Sequence, residues 1–234
     1  MLEPIAPGLW HAHHDLYIPV RVHFRGRMVV ARLSDGRSWV WSPIPIDDAL
    51  AEEIDALGPV AHLVAPNAFH HLHFAAAAAR YPKARRWIVP ALAAKRPELE
   101  HDERLGSEPP ADWSADFDQH LVEGIPKLDE VVFLHRPSRT LVITDLAFNI
   151  LDYRGVMAGL VFRLVGTHKR FGQSRLLRSM VRDRAAAARS AQRILSWSFD
   201  RVVMAHGEII EQDAHARMAQ VLDWMLAGGV AQAS

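Results

Sequence analysis

Val60-Ala-His-Leu-Val-Ala-Pro-Asn-Ala-Phe-His70-His71 is the stretch whose reading decides the fold. Val60–Ala65 is an apolar run of strand length, Pro66-Asn67 turns the chain, and two imidazoles follow at the strand's carboxyl end. Two later segments repeat the arrangement: Thr140–Thr144 runs into Asp145, and Arg201–Ala205 runs into His206-Gly207. In α/β proteins, side chains at the carboxyl ends of neighbouring strands converge on one edge of the sheet, where ligands bind. Two or three imidazoles and one carboxylate gathered there make a donor set for Zn²⁺, Fe²⁺ or Mn²⁺. Taken singly, each position has a plainer reading: His206 as a hydrogen-bonded structural ring, Asp145 as a cap, His70-His71 as solvent-facing residues at a helix start. The joint pattern carries the metal reading. His73, three residues beyond His70, is expected to line the mouth of the site.

Outward from this stretch, the preceding chain reads as a β-meander. Leu9–His14, Val20–Phe24, Met28–Leu33 and Ser38–Trp41 are rich in β-branched and aromatic residues, and are separated by Pro19, Arg25-Gly26 and Asp35-Gly36. Apolar residues at helical spacing predict a helix over 47–57, stopped at Gly58-Pro59. His70 to Arg80 reads as an Ala-rich helix and Arg86–Val89 as a buried strand. Residues 91–129, with Pro97, Pro109, Pro110 and Pro126, read as a long surface excursion. Val131–His135 and Thr140–Thr144 form a hairpin across a four-residue connection. A helical stretch follows from Tyr153 to Trp197, broken at Gly166 and Gly172; then come the strand Arg201–Ala205 and the helix Asp213–Leu226. With no internal repeat and no disordered linker, residues 1–234 are expected to form one domain of two packed sheets with helices outside.

Lys plus Arg and Asp plus Glu are equal at 27 each, which disfavours a nucleic-acid binder relying on excess positive charge. The absence of cysteine removes disulfides, thiolate metal sites and Cys nucleophiles, leaving the 14 His as the main source of soft donors. No Gly-rich phosphate loop, nucleophile elbow or dinucleotide fingerprint occurs, so no organic cofactor is expected. The N-terminus lacks the pattern of a secretory signal, and the longest apolar stretch, Gly155–Gly166, is too short to span a bilayer. A cytoplasmic location is the expectation. The basic residues after that stretch, from Lys169 to Arg184, also allow contact with an anionic membrane surface.

The order of these segments resembles the metallo-β-lactamase-like superfamily, and within it the DUF4336 type, a domain of unknown function. The resemblance lies in Arg32-Leu-Ser-Asp-Gly36, Trp41-Ser-Pro43, Ala65-Pro-Asn-Ala-Phe-His-His71, the run from Glu130 to Asp145, and Met204-Ala-His-Gly207. It implies an α+β/α/β fold, an αββα sandwich of two mixed β-sheets face to face with helices on the outside and metals at one edge. The superfamily's central motif, His-x-His-x-Asp-His, falls on Pro66 to His71: Pro66 and Ala68 replace the first two His, His70 replaces the Asp, and His71 keeps the last His. A further His expected near Gly124-Ile125-Pro126 is missing, while Asp145 and His206 match the family's remaining ligands.

The resemblance therefore implies that one metal position has lost its ligands and the other keeps a single divalent ion on His70, His71, Asp145 and His206, with Zn²⁺ first and Fe²⁺ or Mn²⁺ as alternatives. Four protein ligands would close a tetrahedral site, so catalysis would need a fifth position or a ligand that swings away. The expected function is metal-dependent hydrolysis of a small or lipophilic substrate rather than a large polymer, with no catalytic residue assigned beyond the metal. The alternative is a sandwich that lost catalysis with Pro66 and Ala68 and now binds a ligand or a partner protein. The 153–197 helices are expected to cover the site, and those at 155–197 to offer a homodimer contact. His11, His13, His14 and Asp15 form a second possible metal cluster, and Glu208 a possible base.

Overall fold

The computed structural model describes residues 1–18 and 22–230, so Val20 and Arg21 of the expected second strand lie outside the described residues. One sheet runs β1 (Glu3–Ala6), β2 (Leu9–Ile18), β3 (Val22–Arg32), β4 (Ser38–Trp41), β5 (Val60–Ala65), β6 (Arg85–Ile88) and β7 (Glu103–Arg104), in that spatial order. Its first four strands are antiparallel and those from β4 onward are parallel. The second sheet contains β8 (Phe117–Leu121), β9 (Val131–His135) and β10 (Thr140–Ile143), joined as antiparallel neighbours. A two-stranded ladder, β11 (Phe148–Asn149) with β12 (Phe171–Gly172), follows, and β13 (Arg201–Met204) returns parallel to β10. Both large sheets are mixed.

Alternation along the second sheet explains the layering. Val131 and Phe133 of β9, Val142 of β10 and Val203 of β13 join the core that holds Trp39 and Trp41 of the first sheet. Their neighbours Val132, Leu134, Leu141, Ile143, Val202 and Met204 face the other way, onto α6 (Arg184–Leu195) and α7 (Ala214–Val230). Because strands covered on both faces need apolar residues at every position, these segments are continuous hydrophobic runs in the sequence. On the first sheet's side lie α1 (Asp48–Leu57), α2 (Phe74–Arg80) and α3 (Pro90–Lys95), whose Leu50, Ile54, Phe74 and Leu92 enter the same core as the Trp residues. The result is an αββα sandwich. Of the remaining helices, α5 (Arg175–Met180) lies at the edge at which β10 and β13 end, and α4 (Val156–Val165) packs against β3.

Three expectations are corrected. Arg25-Gly26 is no turn: β3 passes straight through it with Gly26 opposite His14, and a Cβ on Gly26 would meet Leu16 Cδ1 at 2.8 Å. The helix expected from His70 begins at Phe74, since Asn67 Oδ1 accepts the backbone N–H groups of Phe69 and His70 at 2.8 and 2.9 Å and holds the preceding residues in a turn. The supposed excursion 91–129 contains α3, β7 and β8, and its Trp113 and Phe117 are fully buried against Trp39. The stretch 153–197 does break near Gly166, which caps α4 with φ 81°, and near Gly172 in β12.

Candidate metal centre

The carboxyl ends of β4, β5, β10 and β13 meet at one edge of the sandwich, and the residues immediately beyond them build the site. Asp145 follows β10 by two residues and His206 follows β13 by two; the parallel β10–β13 ladder, with Ile143 opposite Met204, puts them side by side. His70 arrives from the turn after β5. His70, Asp145 and His206 each offer a ligand atom within 4.8 Å of the others. The imidazole Nε2 of His70 is 3.4 Å from Asp145 Oδ2, and that of His206 is 3.8 Å from Asp145 Oδ1.

Each of the three is held from behind. His206 Nδ1 lies 2.9 Å from the Arg25 carbonyl oxygen, an acceptor, so Nδ1 carries the hydrogen and Nε2 keeps its lone pair toward Asp145. Ser42 Oγ is hydrogen-bonded to His70 Nδ1 at 2.8 Å, and Trp41 stacks on the His70 ring. The Asn67 amide donates to Asp145 Oδ2 at 2.7 Å and to Thr144 Oγ1 at 2.8 Å. Behind the carboxylate, fully buried Glu130 accepts the backbone N–H groups of Thr144 at 2.7 Å and Asp145 at 2.9 Å.

The electrostatics follow from this packing. Burial alone would raise the Asp145 pKa, but the charge and hydrogen bond of His70, then His206 and the Asn67 amide, hold it well below the usual carboxylate range. Glu130 is pushed the other way, by burial first and by the Asp145 charge second. Burial, aided by the charge of His70, lowers His206 to about 4 against the pull of Asp145, so its ring is neutral near pH 7. Phe24 meets its ring edge-on and Phe148 lies parallel to it.

The three side chains line a pocket of about 430 Å³ whose wall is largely apolar: Leu16, Phe24, Ile44, Phe148, Leu177 and Met180, with exposed Phe69, Leu72 and Leu176 also lining it. His14 and His73 line it too, their rings edge to face at 5.2 Å. His71 is not brought into the group: it lines no part of this pocket, and after burial the charges of Lys95 and Arg96 are what lower its pKa. Adjacent residues in a turn point apart, which separates it from His70. Glu208 also lies elsewhere, beside Arg25 and Arg27. At the N-terminal edge Glu3, not His14 or Asp15, joins His11 and His13 in a second close group. Sequence reading missed Ser42, Glu130 and the grip of Asn67 on Asp145; only Pro66-Asn67, as a turn signal, was available to mark one of them.

Metallo-β-lactamases are among the solved structures similar to this chain. The DIM-1 enzyme exposed to ceftazidime superposes with a TM-score of 0.65 at 15% identity, covering 96% of each chain. The enzyme from Hirschia baltica gives 0.63 at 12% identity, covering 95% of this chain and 97% of its own. FIM-1 from Pseudomonas aeruginosa, in its mono-zinc form, gives 0.64 at 13% identity, covering 97% and 96%. Identities this low speak for the fold, which is that of the metallo-β-lactamases. No curated protein matches the chain. The profile of the domain of unknown function DUF4336 matches residues 10–160, and the chain belongs to that family.

Proposed function

We propose that the protein is a metal-dependent hydrolase with one divalent ion, Zn²⁺ before Fe²⁺ or Mn²⁺, acting on a small apolar ester, lactone or phosphodiester. The observation that carries this reading is the convergence of His70 Nε2, Asp145 and His206 Nε2, each fixed by a group behind it, on the wall of a largely apolar pocket. Two imidazoles and a carboxylate fit a divalent cation. With His71 outside the group the donors number three, the count found in catalytic rather than closed structural zinc sites. A metal held there supplies a Lewis acid and an acidified water. The chain's own residues orient and exclude: the Arg25 carbonyl sets the tautomer of His206, Ser42 holds the angle of the His70 ring, Asn67 fixes one carboxylate oxygen, and Phe24 and Phe148 shield His206 from water. The existence of a mono-zinc form in the structural neighbour FIM-1 is compatible with a one-metal site on this fold.

The test is metal analysis of protein purified without chelators, together with His206→Ala, followed by a screen of esters, lactones and phosphodiesters. About one equivalent of metal, lost in the variant, with turnover that chelation abolishes, is the expected result. Failure to take up Zn²⁺, Fe²⁺ or Mn²⁺ would sink the proposal. Metal without turnover of any substrate class would favour the binding-module reading, in which the loss of His at Pro66 and Ala68 ended catalysis.

A further inference from the structure

Helix α4 turns an apolar face to solvent. Val156 is 93% exposed, Leu164 70% and Leu160 60%, with Met157 at 50% beside them. These positions, spaced by four, form one stripe, while Ala158 and Phe162 on the other side pack with Val22, Phe24 and Ile150. Arg175 donates from Nη1 to the Leu164 carbonyl at 3.2 Å and so brings α5 against the end of α4. The next residue, Leu176, is 61% exposed and lines the pocket of the metal centre.

The charge around this stripe departs from that of the whole chain. The protein has 27 basic and 27 acidic residues, yet residues 151–182 contain seven basic residues and one acidic residue, Asp152. Arg154, Arg163, Lys169, Arg170 and Arg175 are all exposed. A solvent-facing apolar stripe rimmed by cations matches the boundary between the acyl chains and phosphate headgroups of an anionic bilayer. We propose that α4 and Leu176 dock the protein on an anionic lipid surface, with the helix lying in the membrane plane. At ten residues α4 is too short to cross, and among the described residues no helix is long and apolar enough to do so. A second copy of the chain would suit the apolar stripe but not its rim, because a two-fold contact sets the patch against itself and brings like charges together.

Flotation of the full chain with vesicles tests the proposal, comparing phosphatidylcholine alone with phosphatidylcholine mixed with phosphatidylglycerol. The protein is expected to float only with the mixed vesicles, and less so as salt rises. Arg163→Gln should lower partitioning about fivefold and Leu160→Asp should abolish it. Both side chains are exposed, and circular dichroism of each variant checks that the fold is intact. Absence of flotation, equal flotation with both vesicles, or flotation indifferent to Leu160→Asp would overturn the proposal. A concentration-dependent dimer that Leu160→Asp dissociates, without vesicle binding, would overturn it in favour of a second copy.

Discussion

Two places in the molecule gather two imidazoles and a carboxylate, and they differ in what stands beside them. At the pocket, His70, Asp145 and His206 converge with Asn67 and Ser42 in support. At the N-terminal edge, Glu3, His11 and His13 come equally close, because Glu3 pairs with His11 across the β1–β2 ladder and His13 lies two residues further on the same face. There a guanidinium intrudes. Arg27, opposite His13 in the β2–β3 ladder, places Nη2 3.5 Å from His13 Nε2 and donates to the carbonyl oxygens of Met204 and Gly207. Burial first and the Arg27 charge second lower His11 to about 3 and His13 to about 4. A field that keeps a proton off these rings also repels a divalent ion. On His206 the same arginine is the weakest of the named influences. Donor type and spacing are thus alike at the two places; Arg27, which also lines the pocket, weighs on His11 and His13 far more than on His206, and the carboxylate at the edge, Glu3, is exposed.

The sharpest way to break this comparison is to remove one carboxylate from each group. Asp145→Ala should reduce bound metal from about one equivalent to none, whereas Glu3→Ala should leave it unchanged. Metal analysis of the two variants in parallel reads the result, and loss in Glu3→Ala would show that Arg27 does not exclude a cation. Next in size is Glu130→Ala, which leaves the two buried N–H groups of Thr144 and Asp145 without their acceptor. At about 1–3 kcal/mol each the expected loss of stability is about 2–6 kcal/mol, measured by urea unfolding.

Acidification is the third test. His62 and His135, almost wholly buried, are lowered to about 4, chiefly by burial, against 6.5 in the unfolded chain. The unfolded chain therefore takes up protons first: stability is complete above pH 6.5, declines between 6.5 and 4, and loses nothing further to these rings below that. Each ring contributes up to about 3 kcal/mol to the decline. Denaturant midpoints that stay constant from pH 7 to pH 4 would contradict the buried, neutral state of these rings. The smallest effect is Ser42→Ala, which frees His70 Nδ1: metal affinity should fall about 10–100-fold while the unfolding midpoint barely moves. An equal loss of affinity and stability would mean that Ser42 supports the fold rather than the ring.

Legibility in the sequence followed burial. The segments that became β4, β5, β9, β10 and β13 are covered on both faces and stand out as short apolar runs, interrupted in β5 by the buried His62, and α1 is marked by Asp47, whose side chain accepts the Leu50 N–H. Gly26 misled because a glycine inside a strand, packed under the end of Leu16, looks in sequence like a glycine at a turn. The start of α2 misled because the Asn67 side chain competes with the helix for two backbone donors. At the site, residues directly beyond strand ends were legible. The groups that hold them were not, since Ser42 reaches His70 across 28 residues and Asn67 reaches Asp145 across 78. Nor did sequence separate His70 from His71, a distinction made by the direction of a turn.

The Glu130 carboxylate also acts as a register gauge for the second sheet. Glu130 stands just before β9 and its two amide donors just after β10, at the open end of a hairpin closed at the other end by residues 136–139. A slip of one residue between these strands would turn either Val131 and Phe133 or Val142 to the wrong layer and carry both amides away from the carboxylate. Correct pairing and the delivery of Asp145 to the pocket edge are consequently one event, and a misaligned hairpin leaves a buried acid unanswered. Selection for the right alignment is written into the strand pair before the two sheets close on each other.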